Sequence, residues 1–156
     1  MDKPVQQVIR EFLAENRFAL AGVSREPKHF SRTLFSDLRK FGYDVLPINP
    51  NTDEIDGQIC YNSLTGITPP VSQLLVLTPD DQTLKAIAEA PQTGIERIWL
   101  YGISGAKDVL SDALQYCHQN SIDVVPGYCP YMFIPEAPFF HKIHTAVWKM
   151  LGKYPE

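Results

Sequence analysis

The chain has 156 residues, 44% of them of hydrophobic types, enough for one substantial core and too few for two large independent domains. Its formal charge of −4, from 14 Lys and Arg against 18 Asp and Glu, gives no general attraction to nucleic acid or acidic membranes. Any phosphate-binding role must therefore rest on local charge. The opening residues include Asp2, Lys3, Gln6, Gln7, Arg10 and Glu11, so neither a signal peptide nor a membrane span is expected and a cytoplasmic location is favoured. Cys60, Cys117 and Cys129 are odd in number and widely spaced, without paired CxxC motifs, and read as reduced structural thiols.

Val5, Val8, Ile9, Phe12 and Leu13 recur with helical spacing, which predicts an amphipathic N-terminal helix within residues 1–16, after Pro4, packed on the main domain. Arg17 through Val23 reads as a buried strand, followed by a helix from Ser31 through Phe41 that Gly42 can release. Tyr43 through Ile48 is a second strand, whose C-terminal region Pro47 and Pro50 are expected to take out of regular hydrogen bonding. Residues 51–66 read as loop and short local structure. Val71 through Leu77 is the clearest apolar strand, and the helix after it is expected to be capped by Thr78, with Pro79 at its first position and Asp80 and Asp81 at its positive end. Ile95 through Leu100 and Ile122 through Val125 supply two more strands, separated by a glycine turn and a helix bearing Val109, Leu110, Ala113, Leu114 and Cys117.

The alternation predicts an α/β fold: a Rossmann-like three-layer sandwich around a five-stranded, mainly parallel sheet, with the binding crevice beyond the C-terminal strand ends. The whole of residues 1–156 is expected to be one domain, with a C-terminal helical extension over 134–156. The first strand delivers Gly22, Val23, Ser24 and Arg25 to a turn followed by Lys28, His29, Ser31 and Arg32. Glycine permits an awkward backbone path or a close approach, Ser24 offers a short hydrogen-bonding group, and Arg25, Lys28 and Arg32 can offset phosphate charge. Backbone amides near Ser31 and Arg32 would complete the cradle. A solvated charged turn is the competing reading, and His29 is open to phosphate contact, packing or solvent. The turn lacks GxGxxG, and the second strand leads into Pro47-Ile48-Asn49-Pro50 instead of an acid placed for an NAD ribose.

Taken in order, Gly22-Val-Ser24, Gly42-Tyr-Asp-Val45, Pro47-Ile-Asn-Pro50, Ile55-Asp-Gly57 with Tyr61 and Leu64, and Trp99-Leu-Tyr-Gly102 resemble the small CoA-binding-domain proteins. These are related to the nucleotide-binding part of succinyl-CoA synthetase alpha chains. The resemblance covers residues 17 to 130 and extends into Gly127-Tyr-Cys-Pro-Tyr-Met-Phe133 and His141-Lys-Ile-His144. It implies a phosphate turn at Gly22, Ser24 and Arg25 and an adenosine-side crevice at Pro47, Asn49 and Pro50. It further implies a third-strand edge at Leu77, Thr78 and Pro79 and another wall at Tyr101 and Gly102. Phe30-Ser31-Arg32 departs from the glycine common in that turn, which narrows the pocket or changes its phosphate ligand. Nothing matches the phosphohistidine loop of the full synthetase, so ligase activity by this chain alone is not expected.

The resulting expectation is a noncatalytic CoA or acyl-CoA binding protein with no catalytic residue and no metal. A protein-interaction or regulatory module with no small ligand is the first alternative; separately, the aromatic C-terminal stripe permits a homodimer or an intramolecular cap. The second alternative is a cysteine-dependent redox or acyl-transfer enzyme using Cys129 with His141 or His144. Packing by Phe139, Phe140, Ile143, Val147, Trp148, Met150 and Leu151 explains the C-terminal stripe better than a metal site at the histidines.

Overall fold

A computed structural model describes residues 2–136 and residue 155. In chain order its regular elements are α1 (Val5–Ala14), β1 (Arg17–Ala21), α2 (Phe30–Lys40), β2 (Asp44–Ile48), β3 (Glu54–Ile55), β4 (Gln58–Ile59), β5 (Gln73–Val76), α3 (Asp80–Ile87), α4 (Ala90–Thr93), β6 (Arg97–Tyr101), α5 (Ser111–Gln119) and β7 (Asp123–Tyr128). The expected C-terminal helical extension lies almost wholly outside the described residues, as do His141, His144 and the aromatic stripe around them.

Strand alternation builds the three layers. On β1, Phe18 and Leu20 face one way, with Leu75 of β5, Trp99 of β6 and Val125 of β7; they pack against Val8, Ile9 and Phe12 of α1 and Leu34, Phe35 and Leu38 of α2. Ala19 and Ala21 face the other way, with Leu74, Val76, Ile98 and Leu100, and meet Ile87 of α3 and Ala113 and Cys117 of α5. A sheet buried on both faces needs apolar residues at successive positions, so β5 is buried throughout its length. Buried Gln73 is the polar exception: its Nε2 donates 2.7 Å to the Phe12 carbonyl and closes the C-terminal end of α1.

The five principal strands are parallel, in the order β2-β1-β5-β6-β7. From β1 the chain moves outward to β2, then crosses back to place β5 on the other side of β1. The loops leaving β1 and β5 therefore diverge and open a crevice at their C-terminal ends.

Two strand boundaries correct the sequence reading. Pro47 remains in register within β2, opposite Leu20, and β7 continues through Pro126 and Gly127 to Tyr128. Both are edge strands of this sheet, and an edge tolerates a residue without an N–H where a central strand would lose a ladder bond. The free side of β2 is partly covered by Tyr61, whose N–H donates to the Pro47 carbonyl at 2.9 Å. Helix α3 also starts later than expected. Pro79, with φ −56° and ψ 155°, occupies the N-cap, and the Thr78 hydroxyl bonds the Thr83 hydroxyl at 3.0 Å instead of capping the helix.

Candidate functional site

At the end of β1 the backbone turns through Gly22 with φ +91°. A Cβ there would lie 2.7 Å from the Leu77 carbonyl carbon and 2.8 Å from the Thr78 nitrogen. The two diverging loops thus touch backbone to backbone at their origin, and only glycine permits both the conformation and the contact. Gly22 N–H donates to the Ile48 carbonyl at 3.3 Å, which brings in the end of β2. Asn49 strengthens that junction: its Nδ2 donates to the Val23 carbonyl at 2.9 Å, while its Oδ1 accepts from Asn51 N–H at 2.8 Å. Gly22, Val23, Asn49, Leu77 and Thr78, far apart in sequence, therefore meet at one point.

The turn itself is closed by side chains. Ser24 N–H donates to Ser31 Oγ at 2.9 Å, and Ser24 Oγ accepts from Glu26 N–H at 3.0 Å. Ser31 N–H donates to His29 Nδ1 at 3.1 Å, and the Ser31 hydroxyl lies 2.8 Å from the same nitrogen. Acceptance from the Ser31 amide requires Nδ1 to be the unprotonated ring nitrogen, and the Ser31 hydroxyl shares that nitrogen's one lone pair. Arg32 N–H and Thr33 N–H both donate to the His29 carbonyl, at 3.0 and 3.3 Å.

This arrangement corrects the expected cradle of free amides at Ser31 and Arg32. A bare helix start is costly, and His29 is the nearest acceptor, so it caps α2 and uses those donors. Ser31, fully buried, is consumed by the same network. The amides of Val23 and Arg25 make no hydrogen bond among the described residues.

The three cations of the turn are in different states. Arg25 and Lys28 are exposed, and their side chains form no ion pair among the described residues. Arg32 is mostly buried, at 12% side-chain exposure. Its Nη1 donates to the Ser24 carbonyl at 3.3 Å and the Arg25 carbonyl at 3.0 Å, and its Nη2 pairs with Asp56. Its Nε is shut off from solvent and has no partner among the described residues. Asp56 entered the sequence reading only within the Ile55-Asp-Gly57 segment of the resemblance, with no role at the site. An Asp-Gly pair signals a turn, but nothing local announces that its carboxylate reaches α2.

Pro47 is buried in β2, whereas Pro50 and Pro79 are exposed. Tyr101, at the end of β6, sits beside a small cavity of about 30 Å³ shared with Thr78, Thr83 and Asp108. Its ring centroid is 5.3 Å from that of Phe30, which also lies 6.2 Å from Tyr131. Phe30 thus joins the start of α2 to the ends of β6 and β7, a link that sequence separation concealed. Burial, and then the neighbouring Cys129 thiol, push the Tyr101 phenol upward. Tyr131 donates to Asp37 Oδ2 at 2.5 Å; burial and that carboxylate raise its phenol as well.

Gly102 is turned inward: a Cβ there would lie 2.6 Å from the Gly127 Cα, so it seats β6 against β7. Cys129 is 6% exposed, and burial pushes its thiol up to about 11. A thiol held neutral in this way is poorly prepared for nucleophilic work. A larger concavity, about 390 Å³, is lined by Gln6, Ile9, Arg10, Leu13, Tyr43 and Phe133, among others, and contains none of the residues of the turn.

Comparison with known proteins bears on this geometry. The family model described as CoA binding domain matches residues 16–135. The uncharacterized protein YneT of Bacillus subtilis is 28% identical over 100 residues, covering 64% of this chain and 74% of that protein. The ADP-forming acetate–CoA ligase of Methanocaldococcus jannaschii is 26% identical over 78 residues, covering 50% of this chain but only 11% of the ligase. A solved structure of a conserved hypothetical protein from Pyrococcus furiosus superposes with a TM-score of 0.66 at 26% identity, covering 73% of this chain and 95% of that one.

Proposed function

Since the chain belongs to the CoA binding domain family, we propose that it is a noncatalytic CoA or acyl-CoA binding protein whose site is the crevice between the ends of β1 and β5. The observation that carries this reading is the group of basic donors at the switch point: among the described residues, Arg25 and Lys28 are exposed with no ion pair and Arg32 Nε is buried with no partner. A CoA-type ligand brings a pyrophosphate and a ribose phosphate, and those donors fit its charge. The Gly22 turn lets the backbone pass close to the crevice, and the Val23 and Arg25 amides are available to phosphate oxygens.

Asn49, Pro50, Leu77, Thr78 and Pro79 would accept the adenosine side, with Tyr101 as a further wall. Gly102 would act indirectly by setting the end of β6. The part played by this chain is to bind and orient. Chemistry at the thiol or thioester end would belong to a partner, because Cys129 is held as a neutral thiol and ligation is the work of a protein of which this chain matches a small part. Three buried free cysteines suit a reducing compartment, and a cytoplasmic location is part of the proposal. No helix among the described residues is long and apolar enough to cross a membrane.

Calorimetry with CoA, acetyl-CoA, ATP and NAD on monodisperse protein tests the assignment. Saturable binding of CoA or acetyl-CoA, tighter than that of ATP and NAD, is the expected result. Silence toward all four would sink it and favour the protein-interaction reading, to which the already capped start of α2 also lends itself.

A further inference from the structure

The Arg32–Asp56 pair suggests how the turn selects among anions. Asp56 and Gly57 form the two-residue loop between β3 and β4, with φ values of +50° and +76°. Positive φ at both positions is the signature of a tight hairpin turn that Asn-Gly serves as well as Asp-Gly. The negative charge of Asp56 is therefore not needed by the turn, yet its Oδ1 is placed on Nη2 of the least exposed cation of the phosphate turn. Ile55, next to it, is buried in the core alongside Val23 and Leu34, so the hairpin base is anchored and the carboxylate is presented from a fixed support.

The two exposed cations can meet a first phosphate without displacing any protein group. Arg32 differs: its two terminal nitrogens are satisfied internally, while its buried Nε has no partner among the described residues. A phosphate oxygen reaching this guanidinium must compete with the Asp56 carboxylate.

We propose that Asp56 is a specificity-determining residue, an internal anion that reserves Arg32 for ligands delivering a second phosphate charge at the turn. The inference rests on the reading of this turn as an anion site and deepens it: the favoured class is the nucleotide pyrophosphate, and a ligand with one phosphate leaves the Arg32–Asp56 pair in place. Asp56→Asn keeps the turn and removes the charge. Glu54→Gln removes an equal charge from the same hairpin without touching Arg32.

The test titrates wild type and both variants, each shown to be folded by its urea midpoint, with inorganic pyrophosphate and inorganic phosphate, and follows the Arg32 Nε–H resonance by NMR. Loss of a partly exposed ion pair corresponds to about a fivefold change. Asp56→Asn should tighten phosphate about fivefold, because a single phosphate then reaches Arg32, and pyrophosphate by less; Glu54→Gln should do neither, and the Arg32 Nε–H should shift with pyrophosphate in wild type but with phosphate only in Asp56→Asn. Equal tightening by the two variants would reduce the effect to bulk charge and overturn the proposal. So would unchanged or weakened phosphate binding in Asp56→Asn, an unmoved Arg32 resonance, or no pyrophosphate binding in any variant. CoA, titrated alongside, separates the two readings: the expected phosphate and pyrophosphate pattern with CoA silent retains the role of Asp56 and removes CoA.

Discussion

The two ends of the crevice edge are built by opposite means. At the ends of β1 and β5, one close backbone contact through Gly22 opens into exposed cations and hydrogen-bonded polar side chains. At the ends of β6 and β7 the chain is sealed. Gly102 and Gly127 pack backbone on backbone, Gly105 N–H donates to the Gly127 carbonyl at 2.9 Å, and Trp99 Nε1 donates to the Tyr128 carbonyl at 2.8 Å. Tyr101, Cys129 and Tyr131 fill the space with groups that burial keeps neutral. The open end can exchange internal partners for a ligand, while the closed end can only lose packing.

The largest effect should come from the closed end. A Cβ on Gly127 would lie 2.0 Å from the Gly105 carbonyl oxygen, at φ +84°. Backbone cannot yield there cheaply, so Gly127→Ala should cost about 3 kcal/mol or more in urea unfolding. Gly22→Ala, with its nearest backbone atom at 2.7 Å, should cost less, about 2 kcal/mol, and also impair ligand binding. The reverse order of stability losses would break the contrast.

Alkaline titration is next. The Cys129 thiol is raised by burial from its ordinary 9.0 to about 11. Between these values the unfolded chain has released its proton and the folded chain has not. The contribution to stability is thus complete below pH 9 and lost as pH rises to 11, with a ceiling of roughly 2–3 kcal/mol. Cys129→Ala should flatten the fall in unfolding free energy across that window. An unchanged slope would mean that this thiol is not held neutral by the closed end.

Smaller effects belong to the open end. Asn49→Ala removes the donor to the Val23 carbonyl and should lower stability by about 1 kcal/mol, with a parallel loss of CoA affinity in calorimetry. Arg25→Ala should leave the urea midpoint almost unmoved, within about 0.5 kcal/mol, because its side chain is exposed and without an ion pair among the described residues. Its CoA affinity should nevertheless fall several-fold and lose part of its salt dependence. A stability loss comparable to that of Asn49→Ala would show that Arg25 is a structural brace.

Much of the frame was legible in local pattern. The five apolar segments and the helices between them required a parallel sheet covered on both faces, because side chains alternate along a strand and recur every three to four residues along a helix. That same pattern placed Gly22 and the cations after the first strand. Proline was over-read: its missing N–H argued against regular pairing at Pro47, but a proline costs little there and at Pro126, on the two edge strands of the sheet, and edge position is a property of strand order.

Sequence by itself determined the alternating elements, the layered sheet and the family pieces, since each follows from neighbours a few positions apart. Tertiary structure decided which donors remain available. His29 took the amides expected to face phosphate, Asn49 tied β2 to the turn, Phe30 reached Tyr101, and Asp56 came 24 positions along the chain to Arg32. Those partners are chosen by proximity in space, and buried polar groups accept whichever partner the folded chain brings within reach.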